Sequence, residues 1–174
     1  KRYDVSREAQ DEYAYESQMR TAAAQQSGGY DDEIIPMQTK MLLTNKESGE
    51  SKEIDYTVDK DECNRPETTL EGLSSLKPVF DPENGSVTAG NSSQLSDGAS
   101  VTLVMSEDKA KELGLSPLAR IIDYSSYSHD PEWFTTAPIL STQKLLKQQN
   151  LKASAIDIYE INEAFSVVTL AAIK

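Results

Sequence analysis

The chain has 174 residues, 29 acidic against 17 basic, so its formal charge is 17 − 29 = −12. No cluster of Lys and Arg is present to neutralise a row of phosphates, which excludes nucleic acid as a partner. No stretch approaches the ~18 apolar residues of a membrane span, so a soluble protein without a span is expected. One cysteine, Cys63, and one histidine, His129, exclude a disulfide framework and any His/Cys metal site within the chain, and no metal ligands are expected.

Ser6 before Arg7-Glu8 reads as a helix N-cap with an acidic first turn, and good helix formers then continue to a stop at Gly28-Gly29. Ala14, Ser17, Thr21 and Ala24 give that helix a stripe of small residues against which another segment can lie closely. From Glu33 to Thr44 the pattern alternates, with Ile35, Met37, Met41 and Leu43 on one face. A turn-like Asn45-Lys46-Glu47-Ser48-Gly49 and a second alternating run with Ile54, Tyr56 and Val58 complete a hairpin. Seven acidic residues between Glu47 and Glu62 against only Lys52 and Lys60 read as a solvated edge that resists pairing with another sheet.

Pro66, Pro78 and Pro82 with Asn84-Gly85 break the next region into a short helix around Thr69 to Leu76 and a turn. From Val87 the text alternates strand and helix, the pattern of an α/β layer. Val101, Leu103 and Met105 alternate; Ser106 caps a short helix ended by Gly114; Arg120 to Ser128 reads as a strand; Pro138 opens a helix over Ile139 to Gln149; Ile156 to Ile161 reads as a strand. The final helix, Ala164 to Ile173, is apolar nearly all round and is expected to be buried.

Two signals fail. Gly85 and Gly90 have P-loop spacing, but Asn91 stands where a phosphate-gripping Lys is required. The triplets starting at Asn84 and Asn91 fit the N-glycosylation pattern, but nothing else marks the chain as secreted. Cys63, flanked by Asp61, Glu62 and Asn64, sits among carboxylates that repel a thiolate and reads as a loop cysteine; His129, before Asp130-Pro131, reads as a turn residue.

Three stretches carry more. They are Ser6-Arg7-Glu8-Ala9-Gln10-Asp11-Glu12-Tyr13-Ala14 with Asp32-Glu33-Ile34-Ile35-Pro36; Arg65-Pro66, Thr68-Thr69-Leu70 and Leu76-Lys77-Pro78-Val79-Phe80; and Thr88 through Ala99 with Ala137-Pro138-Ile139 and Asn162-Glu163-Ala164-Phe165. In this order and at these separations they resemble the thiolases, which join or cleave 3-ketoacyl chains on coenzyme A. The resemblance spans essentially the whole chain and implies a layered αβαβα thiolase-like fold of the α/β class. It also makes the chain look like the middle of a thiolase, because the nucleophilic cysteine, the Gly-His-Pro motif and the C-x-G-G-G motif of that family are not in it.

From its position alone, at a strand end before a helix, Asn162 is a helix cap or a neutral amide able to hold a water or a carbonyl oxygen. The resemblance favours the second role: in thiolases this Asn orients a water that helps stabilise the enolate or oxyanion oxygen. Ser93 follows Gly90-Asn91, where little side-chain bulk lets a ligand approach. By resemblance it faces the pantetheine arm of coenzyme A, with Ala89, Leu95 and Phe80 as apolar walls. Arg65 would lie near the nucleotide end, and Phe134 and Phe165 near the acyl end. Gln18 stands where potassium-activated thiolases carry a tyrosine, which implies no potassium site.

The resemblance divides the chain into a coenzyme-covering loop domain over 1–78, the end of an N-terminal core half over 79–115 and the start of a C-terminal half over 116–174. It implies an acyltransferase of fatty acid metabolism, acting on acetoacetyl-coenzyme A above all, that binds no permanent cofactor and takes coenzyme A and acyl-coenzyme A as substrates. An intracellular homodimer or homotetramer in the cytoplasm or mitochondrion goes with it. The alternative is a non-catalytic thiolase-like carrier or scaffold. A polypeptide of these 174 residues alone is expected to turn over no acetoacetyl-coenzyme A in a thiolysis assay; turnover abolished by Cys63→Ser would instead make Cys63 a nucleophile.

Overall fold

The computed structural model describes residues 2–174. They form two compact units: one is Arg7–Gln94, and the other joins the first few residues to Leu95–Lys174.

The first unit is built on helix α1, Arg7–Gln26. Its end is a Schellman turn in which Gly28, at φ +73°, donates to Gln25 O and Gly29 donates to Ala24 O at 2.8 Å. Most of α1 is polar, and the buried positions are Gln10, Asp11, Ala14 and Ala22. The helix is therefore held by small residues and specific polar contacts rather than by a broad apolar face.

Strands β1, Met37–Thr44, and β2, Ser51–Val58, pair antiparallel from Met37 opposite Val58 to Thr44 opposite Ser51. This register places Met37, Met41, Leu43, Ile54, Tyr56 and Val58 on one face, as the alternation requires. Asn45 organises the turn: its Oδ1 accepts from the Glu47 and Ser48 amides, and Gly49 takes φ +73° to close it. The charged face carries the Lys40–Asp55 ion pair.

Helix α2, Leu70–Ser74, is capped by Thr69, whose Oγ1 accepts from Gly72 N at 3.0 Å. It packs on α1, as does the 3₁₀ turn Ala89–Asn91. A Cβ on Gly90 would stand 2.5 Å from Leu73 Cδ2 and 2.6 Å from Leu76 Cδ1, so its bare face is occupied by this chain's own leucines and not by an approaching ligand.

In the second unit Ser106 caps α3, Glu107–Glu112, and Gly114 at φ +65° ends it. A 3₁₀ turn, Pro131–Thr136, runs into α4, Ala137–Gln148, which Asn150 terminates at φ +53°. Helix α5, Ser166–Ile173, buries Ser166, Val168, Thr169 and Ala171 and packs on the 131–136 turn, but Ile173 stays 70% exposed. The fully buried helix expected from its composition is thus covered on one side only.

The alternating runs at Val101–Met105, Arg120–Ser128 and Ile156–Ile161 are not strands in the structure; among the described residues β1 and β2 form the only sheet. Alternation marks a segment suited to a half-buried strand, whereas a ladder needs a second extended backbone about 4.8 Å away, and among the described residues none of these segments pairs with one. Arg120–Ser128 lies instead along α4, through Ser125 Oγ to Ser141 O at 2.8 Å and Gln149 Nε2 to Asp123 Oδ2 at 2.6 Å. Val101, Leu103, Ile122, Tyr124 and Ile158 are left exposed.

The Gly90 slot gives a test. Gly90→Ala in the complete protein is expected to destabilise it by about 1–3 kcal/mol through overpacking against Leu73 and Leu76, read as a lower denaturation midpoint at unchanged m-value. Gly49→Ala meets no atom and should lose only the smaller amount, about 1 kcal/mol, due to its positive φ.

Candidate functional site

At the start of α1, Asp11 is 4% exposed. A carboxylate this buried must be paired. Arg7 Nε donates to Asp11 Oδ2 at 2.7 Å, and Asn91 Nδ2 donates to Asp11 Oδ1 at 2.9 Å across 80 residues of sequence. Asn91 also donates to Ser86 O and accepts from Thr88 N, while Thr88 Oγ1 accepts from the amides of Gly90 and Asn91 in a capping box. The other arm of Arg7 reaches Leu73 O and Leu76 O, and Gln10 Nε2 donates to Ser86 Oγ. The 86–91 segment is therefore fixed to α1 from behind, and Ala89 and Ser93 face solvent.

Two turns further along α1, Gln18 fixes a second segment. Its Oε1 accepts from Arg65 N at 2.7 Å and from Asn64 Nδ2 at 2.9 Å, and Asn64 Nδ2 also reaches Gln18 O. Gln94 Nε2 donates to Cys63 O at 2.8 Å, which joins the two segments directly. Gln25 Nε2 bonds Asp61 O, and the Tyr56 hydroxyl donates to Glu62 Oε1 at 2.5 Å. That hydroxyl bond, then desolvation and the nearby charges of Glu62 and Asp59, pushes the Tyr56 pKa above the ordinary tyrosine value. Arg65 and Ser93 are thus brought to one unit on mutually bonded segments. Both are exposed; among the described residues the Arg65 guanidinium forms no ion pair and the Ser93 hydroxyl has no hydrogen-bond partner.

Phe80 is 75% exposed on the turn closed by Val79 N to Val87 O, just before Ala89. Leu95, Phe134, Asn162 and Phe165 lie in the other unit. Leu95 is fully exposed and Phe134 is 65% exposed on the 131–136 turn that packs against α5. Phe165 is the N-cap residue of α5, half-buried, with no side-chain cap bond. Asn162 lies outside that helix and does not cap it; its amide is exposed and has no hydrogen-bond partner among the described residues. Cys63 contributes its backbone, donating to Asp61 Oδ1, and His129 Nε2 sits 3.0 Å from Thr136 Oγ1. A cleft of about 420 Å³ between the end of α1 and the hairpin base, lined by Gln25, Tyr30, Ile34, Pro36, Asp59 and Lys60, contains none of the expected site residues.

The chain matches two family models, "Thiolase, N-terminal domain" over residues 1–108 and "Thiolase, C-terminal domain" over 115–174. The chain belongs to the thiolase family. Its α/β class follows, with both thiolase domains represented and with helices and a sheet in the structure. Among its relatives, a 3-ketoacyl-CoA thiolase of Cronobacter sakazakii is 47% identical over 172 residues, 99% of this chain and 42% of the relative. A 3-ketoacyl-CoA thiolase of Vibrio vulnificus is 45% identical over 174 residues, all of this chain and 43% of the relative, and one of Salmonella typhimurium is 46% identical over 172 residues. The chain thus spans about 42–43% of the length of these curated relatives. They are bacterial and lend the mitochondrial compartment no support. Among the described residues no helix is long and apolar enough to cross a membrane.

Sequence reasoning passed over Asp11, Asn91 and Gln94 as site builders. Asn91 drew notice as a failed P-loop position, a glycosylation triplet and a member of the Thr88–Ala99 stretch but not as an anchor, and the available signal was a string of short polar residues where a core would otherwise be apolar. Asn91→Ala is expected to cost about 2–3 kcal/mol, because Asp11 Oδ1, Ser86 O and Thr88 N all lose a buried partner, whereas exposed Ser93→Ala should stay within about 0.5 kcal/mol. Chemical denaturation of the complete protein compares the two.

Proposed function

We propose that this chain is part of a thiolase-type acyltransferase that forms or cleaves 3-ketoacyl-coenzyme A, acetoacetyl-coenzyme A foremost, with coenzyme A and acyl-coenzyme A as substrates and no permanent cofactor. The observation that carries this reading is the joining of the Asn64-Arg65 and Ser92-Ser93-Gln94 segments on one helix, with Arg65 and Ser93 left open to a ligand. A long, flexible molecule with an anionic nucleotide at one end and amides along its arm suits such a pair: a cation for the phosphates and a neutral hydroxyl for the amides.

The net charge of −12 repels a polyanion at long range, so affinity must come from local contacts such as Arg65. Phe80, Ala89 and Leu95 would line the pantetheine arm, and Phe134 and Phe165 the acyl end. Residues 1–78 would belong to the coenzyme-covering domain, 79–115 to the N-terminal core half and 116–174 to the C-terminal half. An intracellular, cytoplasmic homodimer or homotetramer completes the reading.

In the chemistry, a cysteine outside this sequence would attack the acyl-coenzyme A carbonyl, take the acyl group as a thioester and release coenzyme A; a second cysteine outside this sequence would take the α-proton of a second acyl-coenzyme A, whose α-carbon then bonds the acyl carbon and expels the first cysteine thiolate. Asn162 would hold a water against the oxygen on which negative charge appears. A neutral amide suits that task because it stabilises charge without a titration of its own, and because no bond to the described residues commits it elsewhere.

Asn162→Ala in the complete enzyme is expected to lower turnover by on the order of 10²-fold with substrate binding little changed, as for other single oxyanion donors. Asn162→Asp is nearly isosteric but places a negative charge beside the developing anion, so its turnover should fall to or below that of the Ala variant. Since Asn162 does not cap α5, melting temperature should be unchanged in both. Near-normal turnover in Asn162→Asp would exclude the oxyanion role.

A further inference from the structure

Arg65 is exposed and its side chain is held by no ion pair among the described residues, so its place is set by its backbone. Among the described residues the Arg65 backbone amide is anchored to Gln18 Oε1, which accepts from Arg65 N at 2.7 Å while also accepting from Asn64 Nδ2. Gln18 lies on α1 between the buried small residues Ala14 and Ala22, and seven residues beyond Asp11, the anchor of the Ser93 segment. Seven residues are about two turns, which keeps both anchors on one face of a rigid rod and separates them by roughly 10 Å along its axis.

We propose that Gln18 is a positioning residue for coenzyme recognition: by bonding Arg65 N and Asn64 Nδ2 it sets where the Arg65 guanidinium meets the anionic nucleotide end of a coenzyme A molecule, at a distance from Ser93 fixed by α1. The inference rests on the reading of Arg65 as the contact to the nucleotide. An uncharged amide oxygen suits the role, since it holds two N–H donors without placing a negative charge beside a polyanionic ligand. Gln18 itself touches no substrate. Its effect should be confined to ligands that carry the nucleotide, and it should vanish when Arg65 has no guanidinium to place.

The test compares two thiols in the complete enzyme: coenzyme A, and pantetheine, which has the same arm and thiol without the nucleotide. The measured quantity is kcat/KM for coenzyme A divided by kcat/KM for pantetheine, in Gln18→Met, Arg65→Ala and the double variant. Methionine keeps the length of glutamine and removes the acceptor; Gln18→Ser serves the same measurement if the Met variant does not fold. The expected result is that Gln18→Met lowers the ratio by about three- to tenfold, the equivalent of one neutral hydrogen bond, with kcat for pantetheine unchanged. Arg65→Ala should lower it at least as far, and the double variant no further than Arg65→Ala alone.

If Arg65→Ala lowers the ratio and Gln18→Met does not, the positioning role is overturned while the reading of Arg65 stands. If the two effects multiply in the double variant, Gln18 does not act through Arg65 and the proposal is likewise overturned. If Arg65→Ala leaves the ratio unchanged, Arg65 does not meet the nucleotide, and both the reading and the inference built on it fall.

Discussion

The Arg7–Asp11–Asn91 contact is the constraint on which the first unit depends. Asp11 is buried, and a buried carboxylate is tolerated only with its lone pairs occupied; Arg7 and Asn91 occupy one oxygen each. Each of those partners is committed elsewhere as well. Arg7 holds the carbonyls of Leu73 and Leu76 at the end of α2, and Asn91 holds Ser86 and Thr88. One ionised group near the first turn of α1 thereby gathers three segments that are distant in sequence. The leucines carrying those carbonyls then fill the space that Gly90 leaves open.

The consequence for the site is a division of labour between sides of the same short segments. The polar side chains facing α1, namely Asn91 and Asn64, spend their amide donors inside the protein, Asn64 on Gln18 of α1 and Asn91 on Asp11. Their sequence neighbours Arg65, Ala89 and Ser93 point outward and stay exposed. A rigid inner face with an open outer face is what a ligand surface requires, because the outer groups are placed without being used. The bond from Gln94 to Cys63 couples the two segments, so that displacement of one would carry the other.

The second unit is organised differently. Its helices carry well-formed ends, with Ser106 and Gly114 around α3 and Asn150 after α4, but its alternating segments run without a ladder and expose their apolar side chains. Caps and stops are satisfied within a few residues. A sheet is satisfied only by another backbone, and β1 with β2 have each other because a six-residue connection closes them locally.

The sequence by itself determined the features whose causes are local. These are the extent of α1 to Gly28-Gly29, the hairpin and its turn, the short helix near Thr69, the Ser106 cap, the stop at Gly114 and the family, since the motifs that carry the resemblance lie within short windows. Tertiary structure decided the rest. No periodicity says that Asp11 must meet Asn91 or that Gln18 must receive the Arg65 amide, because a hydrogen bond across 80 or 47 residues depends on the path of the whole chain. Nor could the sequence say that Gly90 is bare to admit leucines, that Asn162 does not cap α5, or that three alternating runs remain unpaired. In each case the residue type was legible and its partner was not: propensity is a property of a segment, and pairing is a property of two.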